Sequence, residues 1–97
     1  MSALVILEGQ VQPEKIDELK SSLAGLFPGT RAYDGSQGID AYFNMDDKGN
    51  MAILEKWESR GHHEKYLQWS TETGVMEKLG SMLIGPPSLR YFERADA

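Results

Sequence analysis

The run ALVILEGQV, Ala3 to Val11, constrains the fold of this chain more than any other part of it. In an extended strand alternate side chains point to opposite faces, and here Ala3, Val5 and Leu7 on one face are matched by Leu4 and Ile6 on the other. A strand with one wet face alternates apolar and polar residues, whereas a strand apolar on both faces needs cover on both sides. Yet 97 residues make one small domain, with limited surface of its own to provide that cover. A second copy of the chain is the simplest source of it, so self-association enters the reading before any motif does.

After the strand, Pro13 sits where a first helical turn accepts it, and EKIDELKSSLAGLF carries Ile16, Leu19, Leu23, Leu26 and Phe27 at helical spacing. Pro28-Gly29 is expected to end that helix. The chain from Thr30 reads as irregular before a strand over Ile39 to Met45, with Ile39, Ala41, Phe43 and Met45 inward and Asp40, Tyr42 and Asn44 opposite. DDKGN is a turn in which Gly49 can take a positive φ, and MAILEKW then alternates Met51, Ile53, Glu55 and Trp57 against Ala52, Leu54 and Lys56. These two runs predict a β-hairpin. Ser59 is placed to cap a second helix whose face carries His63, Tyr66, Leu67 and Ser70, and Gly74 separates it from a short segment, VMEKLGSML. Gly85-Pro86-Pro87 is expected to stop helix, and SLRYFER closes the chain as a strand.

The order strand, helix, strand, strand, helix, strand is that of an α+β domain over residues 1–97: a ferredoxin-like, antiparallel four-stranded sheet with helices on one face. Helices on one face leave the other bare, and a symmetric pairing of two such sheets would cover it.

Charge and composition remove several classes of function. With 15 acidic and 10 basic side chains the net charge is -5, which repels nucleic-acid backbones and anionic membrane surfaces. No cysteine is present, so no thiolate nucleophile, disulfide or cysteine-ligated metal is available. The apolar start has no positive region ahead of it and no small-residue cleavage site after it, which reads as a strand in a cytoplasmic protein. No segment has the roughly 18 apolar residues of a membrane span.

The opening strand, the P-x-K helix, the hairpin ending in LEKWES (Leu54 to Ser59) and the following H-x-x-Y-L (His63 to Leu67) together resemble the antibiotic biosynthesis monooxygenase domain family. The run EKYLQWSTETG (Glu64 to Gly74) is similar to that of many bacterial members, and the resemblance covers nearly the whole chain. It implies a dimeric α+β barrel, the arrangement that the two-sided first strand points to independently. It also implies a cofactor-independent monooxygenase that uses molecular oxygen on a small phenol- or quinol-like aromatic molecule. An electron-rich phenolate can itself pass an electron to oxygen, leaving the protein to deprotonate, orient and desolvate it. The alternative is a non-catalytic dimeric protein, small-ligand-binding or stress-related.

The segment WESRGHHEKYLQW holds the candidate site. Trp57 is a core anchor or the stacking floor of a pocket. His63, one turn before Tyr66 and Leu67, is a structural histidine or a base able to take a phenolic proton at neutral pH. Tyr66 offers its hydroxyl to a substrate or buries its ring. His62, on the neighbouring face, is a weaker candidate base and is read as a substrate contact, as are Tyr42 and Trp69. Glu8 and Glu55 read as solvated or paired, with Lys56 or Arg90 as partners. Metal is not expected: adjacent histidines diverge by roughly 100° on a helix, and no third ligand is evident beside Glu58 and His62. The haem-degrading relatives carry a first-strand asparagine, a tryptophan at Tyr66 and a histidine near Met76, none of which is present here. Some quinol-type relatives place an amide near Ile53, and its loss removes one oxyanion donor.

Overall fold

The computed structural model describes residues 2–97. Its elements follow the chain as β1 (Ala3–Val11), a single 3-10 turn (Pro13–Lys15), α1 (Ile16–Arg31), β2 (Ser36–Phe43), β3 (Asn50–Trp57), α2 (Arg60–Glu72), α3 (Val75–Ser81) and β4 (Leu83–Phe92). The strands form one sheet in the order β2-β3-β1-β4, and every pairing is antiparallel. This is the α+β, ferredoxin-like arrangement expected from the sequence. Among the described residues no helix is long and apolar enough to cross a membrane.

Alternation divides the sheet as the sequence requires. In β1, Ala3, Val5 and Leu7 are buried under the helices, while Leu4 and Ile6 on the other face are half-buried. In β3, Met51, Ile53, Glu55 and Trp57 all point to the helices and all are buried. Leu19, Leu23 and Phe27 of α1 close the core over Leu7, Val11, Met51 and Ile53, joined by Leu79, Met82 and Leu83 from the α3–β4 junction. A second, smaller cluster forms at the other end of the sheet around Val5, Trp57 and Tyr66, and it positions the site.

Four local expectations are corrected. Helix α1 does not stop at Pro28 but runs through it to Arg31. Proline deletes one hydrogen bond near the end of a helix. The last turn is held from outside: Arg31 donates to the carbonyl of Ile39 at 3.0 Å and Thr30 is buried. Strand β2 accordingly begins at Ser36 and ends at Phe43, so Met45 lies beyond it and is almost fully exposed rather than inward. The hairpin turn does not use a positive φ at Gly49. Side chains shape it instead, Asn44 accepting from the Asp46 amide at 2.8 Å and Asp47 from the Gly49 amide at 3.2 Å. Finally, Gly85-Pro86-Pro87 lies inside β4. The register against β1 shifts between Glu8 and Gln10, leaving these three residues out of the ladder, with Gly85 at φ 74°.

Candidate active site

Two elements deliver the site. Strand β3 alternates so that Glu55 and Trp57 both point toward the helices, and the chain then reaches Ser59, whose extended backbone (φ -154°) ends the strand. The Ser59 hydroxyl accepts from the His62 amide at 3.2 Å and caps α2. With the helix phase fixed there, positions 63, 66 and 70 share one face, and His63, Tyr66 and Ser70 are the residues α2 buries.

The buried groups are bonded in sequence. The Trp57 indole Nε1–H donates to Glu55 Oε1 at 3.1 Å. His63 Nε2 lies 3.7 Å from the same oxygen, and His63 Nδ1 is 2.7 Å from the Tyr91 hydroxyl on β4. The Tyr66 hydroxyl is 2.7 Å from Thr30 Oγ1 on the last turn of α1. Rings pack around them edge to face or tilted: Tyr33 to Tyr66 at 5.0 Å between centroids, Trp57 to Tyr66 at 5.1 Å, Trp57 to His63 at 5.5 Å and Tyr66 to Trp69 at 5.8 Å. Ser36 is paired with Trp57 in the ladder, and its hydroxyl is, among the described residues, the one buried side-chain polar atom without a hydrogen-bond partner.

Burial sets the charges. It pushes the Glu55 carboxyl up to about 7, an effect only partly offset by the Trp57 N–H. It pushes the His63 imidazole down to about 4, partly opposed by the charge of Glu64. At 3.7 Å an ion pair between them is within reach, but desolvation outweighs the attraction and both groups tend to their neutral forms. Burial also raises the Tyr91 phenol, which keeps its proton at neutral pH and shares a hydrogen bond with Nδ1. With the Tyr91 hydroxyl as donor the imidazole has its lone pair on Nδ1 and its proton on Nε2, facing Glu55; with Nδ1–H as donor to the Tyr91 oxygen the two positions exchange. The hydrogen bond from His63 Nδ1 to the Tyr91 hydroxyl is a path along which a proton can move, with the Glu55 carboxyl held by Trp57 3.7 Å from the other ring nitrogen.

Of the residues expected in the site, Trp57, His63, Tyr66 and Trp69 come together. Trp57 is fully buried, with Tyr33, His63 and Tyr66 against it. Tyr66 has its hydroxyl engaged by Thr30 and presents a fixed ring instead of a free O–H. Trp69 is half-exposed at the margin, against Tyr33 and Tyr66. His62 faces elsewhere: its Nδ1 is 2.7 Å from the Ser59 hydroxyl, its Nε2 is 3.8 Å from Glu58, and it borders a separate recess with Tyr33, Asp34 and Lys65. Tyr42 is on the opposite face of the sheet, 54% exposed and apart from the cluster.

Two residues of this buried cluster are not singled out by the sequence reading. Glu55 is neither solvated nor paired with Lys56 or Arg90, because both of those side chains lie on the far face of the sheet; Arg90 binds Glu8 there at 3.0 Å, as expected. The alternation that placed Glu55 with Met51, Ile53 and Trp57 already marked it as inward. Tyr91 reads in the sequence only as part of a closing strand, although Leu89 and Tyr91 form that strand's inward set. Among the described residues no group of three or more His, Asp or Glu side chains is arranged to hold a metal ion.

Residues 2–71 match the family described as antibiotic biosynthesis monooxygenase. The fold is shared with solved structures at low identity. A conserved protein of Methanosarcina mazei Go1 superposes with a TM-score of 0.89 at 18% identity, covering 98% of this chain and 94% of the other. Rv0793 of Mycobacterium tuberculosis gives 0.86 at 22% identity, covering 100% and 98%. A candidate antibiotic biosynthesis monooxygenase of Deinococcus radiodurans gives 0.84 at 18% identity, covering 98% and 94%. Among curated proteins there is no sequence match.

Proposed function

The chain belongs to the antibiotic biosynthesis monooxygenase family, and from that premise we propose that it is a cofactor-independent monooxygenase of small phenol- or quinol-like aromatic molecules. The observation that carries this reading is His63: a buried imidazole, neutral at physiological pH, with its Nδ1 hydrogen-bonded to the Tyr91 hydroxyl and its Nε2 3.7 Å from Glu55. Such a group has a ring nitrogen free of a proton at neutral pH, while the burial that keeps it so also lowers its basicity, so an ionised Glu55 beside it is needed to hold the proton it takes. Trp57 and Tyr66 form the rigid aromatic wall behind it, and Trp57 also holds Glu55 in place.

The substrate can supply every electron the reaction needs. A ring CH2 beside a phenol, as in an anthrone, is oxidised by four electrons to a carbonyl. One atom of dioxygen enters that carbonyl, and the other leaves as water with the two hydrogens. Deprotonation starts the sequence because the phenolate reduces oxygen far more readily than the phenol does, so the demand on the protein is a base in a dry, shaped site. Neither flavin nor metal is required by this balance.

The same reading includes a homodimer. The sheet face away from the helices presents Leu4, Ile6, Tyr42, Leu54 and Phe92, half-buried or exposed in the single chain. A second copy of that face would remove this apolar surface from water.

The experiment is oxygen uptake by metal-stripped protein over hydroquinones, anthrones and catechols, beside His63→Ala. Uptake that needs folded protein and falls with the substitution is the expected result. The full burial of Trp57, His63 and Tyr66 favours one other reading, a dimeric small-ligand-binding or stress-related protein without turnover. No uptake across the panel, with ligand-dependent changes in tryptophan fluorescence, would establish that reading instead.

A further inference from the structure

His63 is 2% exposed and Glu55 5%, so a molecule arriving from solvent touches neither. One side chain links them to the surface. Tyr91 has its hydroxyl against His63 Nδ1, yet it also lines an open cleft of about 410 Å³ with Ser59, Arg60, Phe92 and Glu93. Its ring is fixed from two sides, by the Arg60 guanidinium 4.1 Å above its centre and by the His63 ring edge-on at 5.3 Å. Arg60 opens α2 directly after the Ser59 cap, so the turn that orients His63 inward also sets a cation at the cleft. The aromatic wall of Trp57 and Tyr66 lies behind His63 and not in front of it.

We propose that this cleft is the substrate site, and that Tyr91 is a catalytic residue that passes the proton of a small neutral phenol to His63 while Arg60 stabilises the phenolate left behind. The proposal rests on the monooxygenase reading and names where its first step occurs. In that step the substrate O–H bond breaks and its proton forms a new O–H bond on Tyr91. The original Tyr91 O–H bond breaks in turn, and that proton forms an N–H bond at His63 Nδ1. The electron pair of the substrate bond remains on the substrate oxygen, next to a guanidinium. The new charge on His63 stands 3.7 Å from Glu55, so the step draws on Glu55 in its carboxylate form, which a carboxyl held at about 7 half populates at neutral pH. Nothing is oxidised or reduced, so the step can be observed without oxygen. The cleft's size suits a substrate of one or two rings.

The test uses 4-nitrophenol, which is yellow only as the phenolate, with the full-length protein under nitrogen and buffered below the probe's own pKa. Wild-type protein is expected to raise the bound phenolate fraction about tenfold over free probe, equivalent to a shift of one unit. Amide resonances that move on binding should cluster at Ser59, Arg60 and Tyr91. Tyr91→Phe keeps the ring and should bind the probe without ionising it, and Arg60→Ala should ionise it less. His63→Gln, which leaves Tyr91 in place, should also leave bound probe neutral and provides the same test should Tyr91→Phe misfold. Ionisation by Tyr91→Phe or His63→Gln at the wild-type level would overturn the proposal. So would perturbations centred elsewhere, or failure of the probe to bind. Ionisation without any oxygen uptake on the phenol panel would instead remove the monooxygenase reading and leave the proton path standing.

Discussion

The hydroxyl of Tyr91 lies 2.7 Å from Nδ1 of His63, a contact between β4 and α2 that joins residues 28 positions apart. It turns a buried histidine into one with an outlet. Without it, Glu55 and His63 would form a closed pair in the core, isolated from anything the protein could bind.

Glu55 should make the pH dependence of stability unusual. Its carboxyl is raised from 4.5 to about 7, so its contribution is whole below 4.5 and is lost as pH rises through 7. His63 is lowered from 6.5 to about 4, so its contribution is whole above 6.5 and is lost as pH falls through 4. Between 4.5 and 6.5 the two slopes oppose, and these groups leave the wild-type protein nearly flat. Glu55→Gln removes only the first, so it should gain stability with rising pH across that window and exceed wild type above pH 7 by about 2–3 kcal/mol. Denaturant titrations at a series of pH values decide this; parallel curves for the two proteins would mean that Glu55 is not held neutral.

The buried pair Thr30 and Tyr66 should be coupled. Thr30→Val leaves the Tyr66 hydroxyl without its partner in the core, at about 1–3 kcal/mol, whereas Tyr66→Phe leaves the Thr30 hydroxyl its bond to the Leu26 carbonyl and should cost less. The double variant, in which both hydroxyls are gone, should cost no more than the worse single. Strict additivity in a double-mutant cycle would contradict the hydrogen bond.

Gly35 has φ +85°, and a Cβ there would run into the ring of His62. Gly35→Ala should therefore destabilise the protein by more than about 1 kcal/mol through backbone strain alone, with the clash adding to it. Adding His62→Ala removes the ring but leaves the Cβ, which also stands in the way, so it should recover only the part due to the ring, as read from thermal melts of the single and double variants.

Leu54 sits near the centre of the open sheet face, between Ile6 and Asp40 on the neighbouring strands. Leu54→Glu should give a folded monomer, and the wild type is expected to sediment as a dimer. A wild-type monomer at micromolar concentration would remove the dimer from the proposed function.

The hairpin, the phase of α2 and the two-sided first strand were legible because period-2 and period-3.6 patterns there coincide with burial. Where the sequence misled, distant contacts overruled local preference. Pro28 reads as a helix end, but the bond between Thr30 and Tyr66 and that from Arg31 to Ile39 hold another turn beyond it. Glu55 reads as a surface carboxylate because carboxylates are rarely buried; Trp57 is its neighbour along β3, but His63 comes beside it only when α2 folds over the strand. His63 and Tyr66 were found because they share a helix face. Tyr91 was missed because nothing local to SLRYFER names its partner.

Gly85-Pro86-Pro87 bears on how copies of this protein meet. Strand β4 borders the sheet, and over these residues it is out of register, with two positions that have no N–H to offer. A strand arriving in the plane of the sheet finds a gap there where a continuous seam would otherwise invite it. Sheet growth side by side, the geometry of fibrils, is thereby blunted at this border, and the chain can carry an apolar sheet face with less hazard of polymerising through its edge.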